Sequence, residues 1–171
     1  TNQKLRWMIQ CSGSGCNKEQ NTYTTVNVQD KLFDTVQKNL NLIDKKMLLE
    51  KLEAQSPSTQ SALFILDRCF KGQTNNYRKL VIPTSQSYCN YMNEDGDVIM
   101  SSMSEMFSKV CEHVFNKCKP LVVELSEQFE KSADCDDSAL HKNNNRYENL
   151  MMFHETKHRT KLLKEVLPMF K

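Results

Sequence analysis

The segment DVIMSSMSEMFSKVCEHVFNKC, Asp97 to Cys118, decides how the rest of the chain is read. Its apolar residues Ile99, Met103, Met106, Phe107, Val110, Val114 and Cys118 recur every three or four positions, which places them on one face of a helix. Asp97 stands where an N-cap oxygen would meet the first unpaired amides. Pro120 then closes this helix or opens the next.

The same period dominates outward in both directions and alternation of period two is scarce, so the expected fold is all-α, with five to six amphipathic helices. Toward the N-terminus, Asn27 is placed to cap a helix with Val28, Leu32, Val36 and Leu40 on one face, and Asp44 a short one through Met47, Leu48 and Leu52. Ser56 followed by Pro57 is a start signal, because the serine oxygen accepts an orphan amide and proline lacks one. That helix would run through Ala62, Ile65, Leu66, Cys69 and Phe70 to Gly72, which ends it. Residues 73–96 read as a tethered loop in which "SQSYCNYM" adds one or two helical turns.

Toward the C-terminus, Leu121, Val122, Leu125 and Phe129 form a further amphipathic stretch, ended by the polar "KSADCDDS" and "HKNNNR". Asn145 and Glu148 have the spacing of a capping box, so the last helix is expected to begin there. Its stripe would be Tyr147, Met151, His154, His158, Leu162, Val166 and Met169.

A chain of 171 residues fits one domain, which can bury roughly 70% of its unfolded surface. The expectation is a single helical domain over 1–171, with 1–25 as an irregular N-terminal segment tethered by cysteines. A net charge of +2 is too small for the positive field that nucleic-acid binding needs. The charge is uneven, since seven Lys or Arg against three Glu from His141 onward give that end +4. No apolar run is long enough for a transmembrane helix. The chain starts at Thr1 without an apolar leader, as a mature secreted protein would after loss of its signal peptide.

Seven cysteines, Cys11, Cys16, Cys69, Cys89, Cys111, Cys118 and Cys135, are scattered without a CxxC pair. Metal-ribbon and thioredoxin-like patterns are thereby excluded. Structural disulfides in an oxidising compartment are the expectation, giving a disulfide-linked helical bundle. Cys111 and Cys118 share a helix face about 10.5 Å apart, so each would need a partner on another helix. The odd count leaves one thiol free or shared with a second molecule, as in a covalent dimer.

The segment "HETKH" carries His154, Glu155 and His158 in the order H-E-x-x-H. Two imidazoles one helical turn apart can chelate zinc, with the glutamate as general base on a metal-bound water. No glycine follows at the longer metzincin spacing, and the 13 residues after His158 offer only Glu165 as a side-chain carboxylate for a third ligand. Zinc and a hydrolase are therefore the alternative, and histidines packed at a helix interface the expectation. Buried together without metal, they would make the contact sensitive to pH.

"NEDGD" fails as an EF-hand, because Tyr91 and Ser102 would fall at its first and twelfth positions, and reads instead as a turn leading to the Asp97 cap. Lys157, Arg159, Lys161 and Lys164 form a basic contact face opposite the last apolar stripe, suited to solvent or to peripheral contact with an anionic membrane. No nucleophile-and-base pair or phosphate loop can be assembled, so no catalytic residue is assigned. In general character the chain is similar to small secreted helical effector or cytokine-like proteins. The function expected is extracellular and non-catalytic, without a cofactor, through binding another protein; a carrier of a small apolar ligand is the alternative binding role.

Overall fold

The computed structural model describes residues 30–72, 80–132 and 136–170. Among them are six α-helices and one three-stranded antiparallel sheet. In chain order, α1 is Leu32–Asn41, α2 Lys45–Leu52 and α3 Thr59–Lys71. The strands are β1 Ile82–Pro83, β2 Tyr88–Met92 and β3 Val98–Ser102. They lead into α4 Met103–Lys131, α5 Asp137–Met151, α6 Thr156–Val166 and a closing 3-10 turn, Leu167–Phe170.

The predominance of helix agrees with the sequence, but the all-α class needs correction, because backbone pairing claims the segment expected to form a loop and the start of the long helix. Tyr88 pairs with Ser102, Asn90 with Met100 and Met92 with Val98, while Ile82 and Pro83 of β1 pair with Asn90 and Cys89. The turn between β2 and β3 is built by Asn93, whose Oδ1 accepts from the amides of Asp95 and Asp97 at 3.0 and 2.9 Å. Gly96 closes it at φ +83°, a conformation that costs glycine little. Asp97 therefore belongs to the hairpin, and the cap of α4 is Ser102, whose hydroxyl accepts from Glu105 N at 3.1 Å.

Helix α4 buries Met103, Met106, Phe107, Val110, Cys111, Val114, Cys118 and Val122. Pro120 lies inside it and neither ends it nor starts another. An interior proline costs about 3 kcal/mol, whereas Val114 and Val122 alone gain roughly 1.5–3 kcal/mol each by full burial. Continuity of the helix is thus the cheaper solution. Helices α1, α3, α5 and α6 pack around α4, with Leu32, Val36, Leu40, Ile65, Leu66, Phe70, Leu162 and Val166 joining one core. Phe170 seals it against Phe70, ring edge to face at 5.0 Å.

Three helix boundaries differ from the sequence expectation. The cap of α3 is Ser58, whose hydroxyl accepts from Ser61 N, and Ser56 is instead bonded to α5. Helix α5 starts at Asp137 behind an Asp136 cap that accepts from Ala139 N at 2.7 Å, so Asn145 lies in mid-helix. The last expected helix is two helices, because the chain turns at Met152–Glu155. Asn27 and Val28 of the expected first helix lie outside the described residues.

The polar run "NNNR" on α5 is a clamp. Asn149 Nδ2 donates to the carbonyls of Leu52 and Ala54 at 2.7 and 2.8 Å while its Oδ1 accepts from Ser58 N at 2.9 Å. Asn145 Oδ1 accepts from Ser56 N while its Nδ2 donates to Glu53 O, and the one hydroxyl proton of Ser56 is shared between Glu148 and Asn145 Oδ1. Arg146, 7% exposed, donates to Glu53 Oε1 at 3.0 Å. The α2–α3 connection has no ladder of its own, and these side chains satisfy its backbone.

At the other end of α3, Asn39 Nδ2 donates to Cys69 O at 2.8 Å. The helix stops at Gly72, as expected, with φ +54°, and a Cβ there would lie 2.3 Å from Asn39 Oδ1. Only glycine meets both the backbone angle and the approach of Asn39.

Replacing Asn149 with alanine removes the partner of two carbonyls and one amide. The Leu52 carbonyl is buried, at a cost of about 1–3 kcal/mol, and the other two groups are part-buried and partly compensated by water. The expected loss in urea unfolding is about 2–4 kcal/mol, whereas Asn144→Ala, exposed on the same helix, should stay within about 0.5 kcal/mol.

Candidate functional site

The cysteines are best placed first, because the expected cross-links depended on them. Cys69, Cys89, Cys111 and Cys118 are free thiols, each 0% exposed. The disulfide-linked bundle is unsupported at these four positions; Cys11, Cys16 and Cys135 lie outside the described residues. The reason is that each of the four fills a core position as a small apolar side chain. Burial pushes the thiols of Cys111 and Cys118 up to about 12 and that of Cys89 to about 11. Cys69 is raised by burial and then by the proximity of Cys118 and Cys111. Held as neutral thiols, they are poor nucleophiles and poor metal ligands.

The zinc reading fares differently from its spacing. His154 lies exposed in the turn after α5, Glu155 is the N-cap residue of α6, and His158 is half-buried in the first turn of α6. A helix break inside "HETKH" places His154 in the turn and His158 on α6, so the two do not share one continuous helix. His154 instead stacks on Phe115 at 4.7 Å. Among the described residues, no three His, Cys, Asp or Glu side chains gather as a metal group.

The basic face is narrower than the sequence suggests. Lys157, Lys161 and Lys164 are exposed at positions i, i+4 and i+7 of α6. Arg159 is half-buried and donates from Nε to Phe153 O at 2.7 Å, bracing the turn that splits α5 from α6.

The feature that sequence reasoning missed is the outer face of the sheet. Residues paired across an antiparallel sheet share a face, so Ile82, Asn90 and Met100 form one row and Tyr88 and Ser102 the next. Tyr88 is 50% and Met100 53% exposed, although both are held on paired strands. On the opposite face, Cys89 and Tyr91 are buried. Tyr91 meets Phe33 edge to face at 5.3 Å, and Phe33 stacks on His113, whose Nδ1 lies 3.2 Å from Gln37 Oε1. Burial raises the Tyr91 phenol.

At the Tyr88 end of the sheet, a cavity of about 360 Å³ is lined by Pro83, Ser85, Gln86, Ser87, Met103 and Leu167. Ser85 Oγ is already taken by the amides of Ser87 and Tyr88, and Ser87 O by the amide of Met103 at 2.7 Å. The wall is therefore rigid and mixed in polarity. A usable signal for this face did exist: two five-residue runs, "YCNYM" and "VIMSS", flank an Asn-to-Gly turn, which is the pattern of a hairpin.

The chain matches no family model, no curated protein and no solved structure.

The buried thiols generate a pH dependence whose sign is fixed. Their folded values are raised, so the stability they contribute is complete below about pH 8 and is lost as pH rises from the ordinary thiol value of 9.0 toward 12. In that window the unfolded chain binds fewer protons than the folded one. Urea unfolding between pH 8 and pH 11 should show a steeper alkaline decline in the parent than in a Cys111→Ala, Cys118→Ala variant. The expected difference is about 1 kcal/mol per pH unit for each thiol.

Proposed function

We propose that this protein acts without catalysis, by binding another protein through the outer face of its sheet. The observation that carries the reading is the exposure of Tyr88 and Met100, 50% and 53%, on one face of a paired hairpin, with the Cys89–Ser101 pair between their rungs. The rigid aromatic ring of Tyr88 loses little conformational entropy on binding, the flexible, polarizable thioether of Met100 adapts to a partner's shape, and both are side-chain types in which protein interfaces are enriched. Asn90 and Ser102 beside them provide polar groups for a rim. The stripe Lys157, Lys161 and Lys164 is a solvated face in this account, and peripheral contact with a membrane is secondary.

An extracellular location belongs to the same proposal, and its support is now confined to Cys11, Cys16 and Cys135, because the other four cysteines serve as core residues. The carrier reading has less support among the described residues, where grooves of about 200 and 360 Å³ lie below and at the small end of ligand sites.

A photo-reactive residue in place of Asn90 would capture the protein that covers this face in material from the natural source. The captured protein should then bind the parent chain and lose at least tenfold in affinity for a Tyr88→Ala, Met100→Ser variant, with thermal stability unchanged because both side chains are half exposed. Charge reversal at Lys157, Lys161 and Lys164 should leave that affinity unaltered. Equal binding by the Tyr88 and Met100 double variant would exclude the proposal.

A further inference from the structure

The core is not coextensive with the two longest helices. Helix α4 spans 29 residues, roughly 43 Å at 1.5 Å per residue, yet its last buried apolar side chain is Val122. Helix α5 contributes none before Leu150. Among the described residues between those two points, the buried side chains are Ser126, Asn143, Arg146 and Asn149, all polar. Val123, Leu125 and Phe129 are only half-buried and stand outside the core cluster, and Leu140 is 45% exposed.

The boundary lies two residues beyond Pro120. The missing N–H of that proline leaves the Asn116 carbonyl without the usual partner in the helical ladder, in the turn that precedes the last buried apolar side chain, Val122. Beyond it Glu124, Glu127 and Glu130 are all exposed at spacings of three, so like charges crowd one side of the helix. On α5 the matching segment begins with Asp136 and Asp137. What fastens this region is the polar clamp from Asn145, Arg146 and Asn149 to residues 52–58, and Arg146 Nε in it is buried without a hydrogen-bond partner.

We propose that the distal ends of α4 and α5, residues 123–132 and 136–142, form an arm that opens as a unit just beyond Val122, next to the turn weakened by Pro120, while the core and the clamp stay folded. Elements with few buried apolar contacts open at a lower free-energy cost than the core, and contiguous segments do so cooperatively. Opening would uncover Val123, Leu125 and Leu140 without disturbing the face that carries Tyr88 and Met100. The arm is thus a conformational device separate from the proposed binding face.

Amide hydrogen exchange on the full chain tests this. Protection factors in residues 123–132 and 136–142 should be at least 100-fold lower than in Val110–Cys118 and should fall together as denaturant is added at low concentration. Pro120→Ala, which restores the missing hydrogen bond and a better helix former, should raise protection in the arm about tenfold and leave Val110–Cys118 unchanged. Protection in the arm equal to that of Val110–Cys118 in the parent chain would overturn the proposal. A stably folded Pro120→Ala chain with unchanged exchange in the arm would overturn the part assigned to Pro120.

Discussion

The structure depends on one row of side chains, Met103 to Val122 along the inner face of α4, being removed from water. Eight buried residues on a single helix leave each neighbouring element one face on which to pack, and α1, α3, α5 and α6 take those places. The row carries two cysteines, and their role is volume. A thiol is small, weakly polar and compatible with an apolar interior, provided that it stays protonated, which burial enforces. Cross-links are unnecessary in a chain of this size, because the core it can bury is large enough to offset the ordering of the backbone.

Around that apolar centre, asparagine does the specifying. Asn39 and Asn149 are buried, and each spends its amide on backbone groups of another segment: Cys69 O for the first, Leu52 O, Ala54 O and Ser58 N for the second. Apolar packing sets how much surface is buried but tolerates sliding of one helix on another. A two-sided amide that must meet a carbonyl and an N–H in fixed positions does not. The placement of α5 against the α2–α3 connection is therefore defined by hydrogen bonds whose loss leaves buried groups unpaired.

Helix periodicity made most of the core legible: Leu32, Val36, Leu40, Leu48, Leu52, Ile65, Leu66, Val110, Val114, Leu162 and Val166 all fall on the stripes from which they were read. What stayed hidden has physical causes. "VIMSS" fits the start of a helix as well as a strand, and only pairing with "YCNYM" decides between them, which is a non-local fact. "HKNNNR" reads as a linker because asparagine is a poor helix former, and the clamp that compensates is made with residues some ninety positions away. Pro120 and the break at Met152–Glu155 reverse one another's signals: proline stays inside a helix, while a proline-free, glycine-free stretch interrupts one. The second of these also divides H-E-x-x-H between a turn and a helix, whereas the zinc pattern is read on one continuous helix. Exposure of Tyr88 and Met100 was missed together with the strands that display them, although the runs on either side of the Asn93–Gly96 turn carry a hairpin pattern.

The proposed binding role rests on the exposure of Tyr88 and Met100 on the paired strands of the hairpin. That placement rests on an apolar core whose cysteines are fillers. The most direct measurement is the sulfur chemistry of the unreduced protein, unfolded in denaturant with an alkylating reagent present and mapped by peptide mass. The account predicts that Cys69, Cys89, Cys111 and Cys118 all carry the label. A disulfide-linked peptide containing any of these four would contradict it, because helices would then be held by covalent bonds where burial of α4 is held responsible.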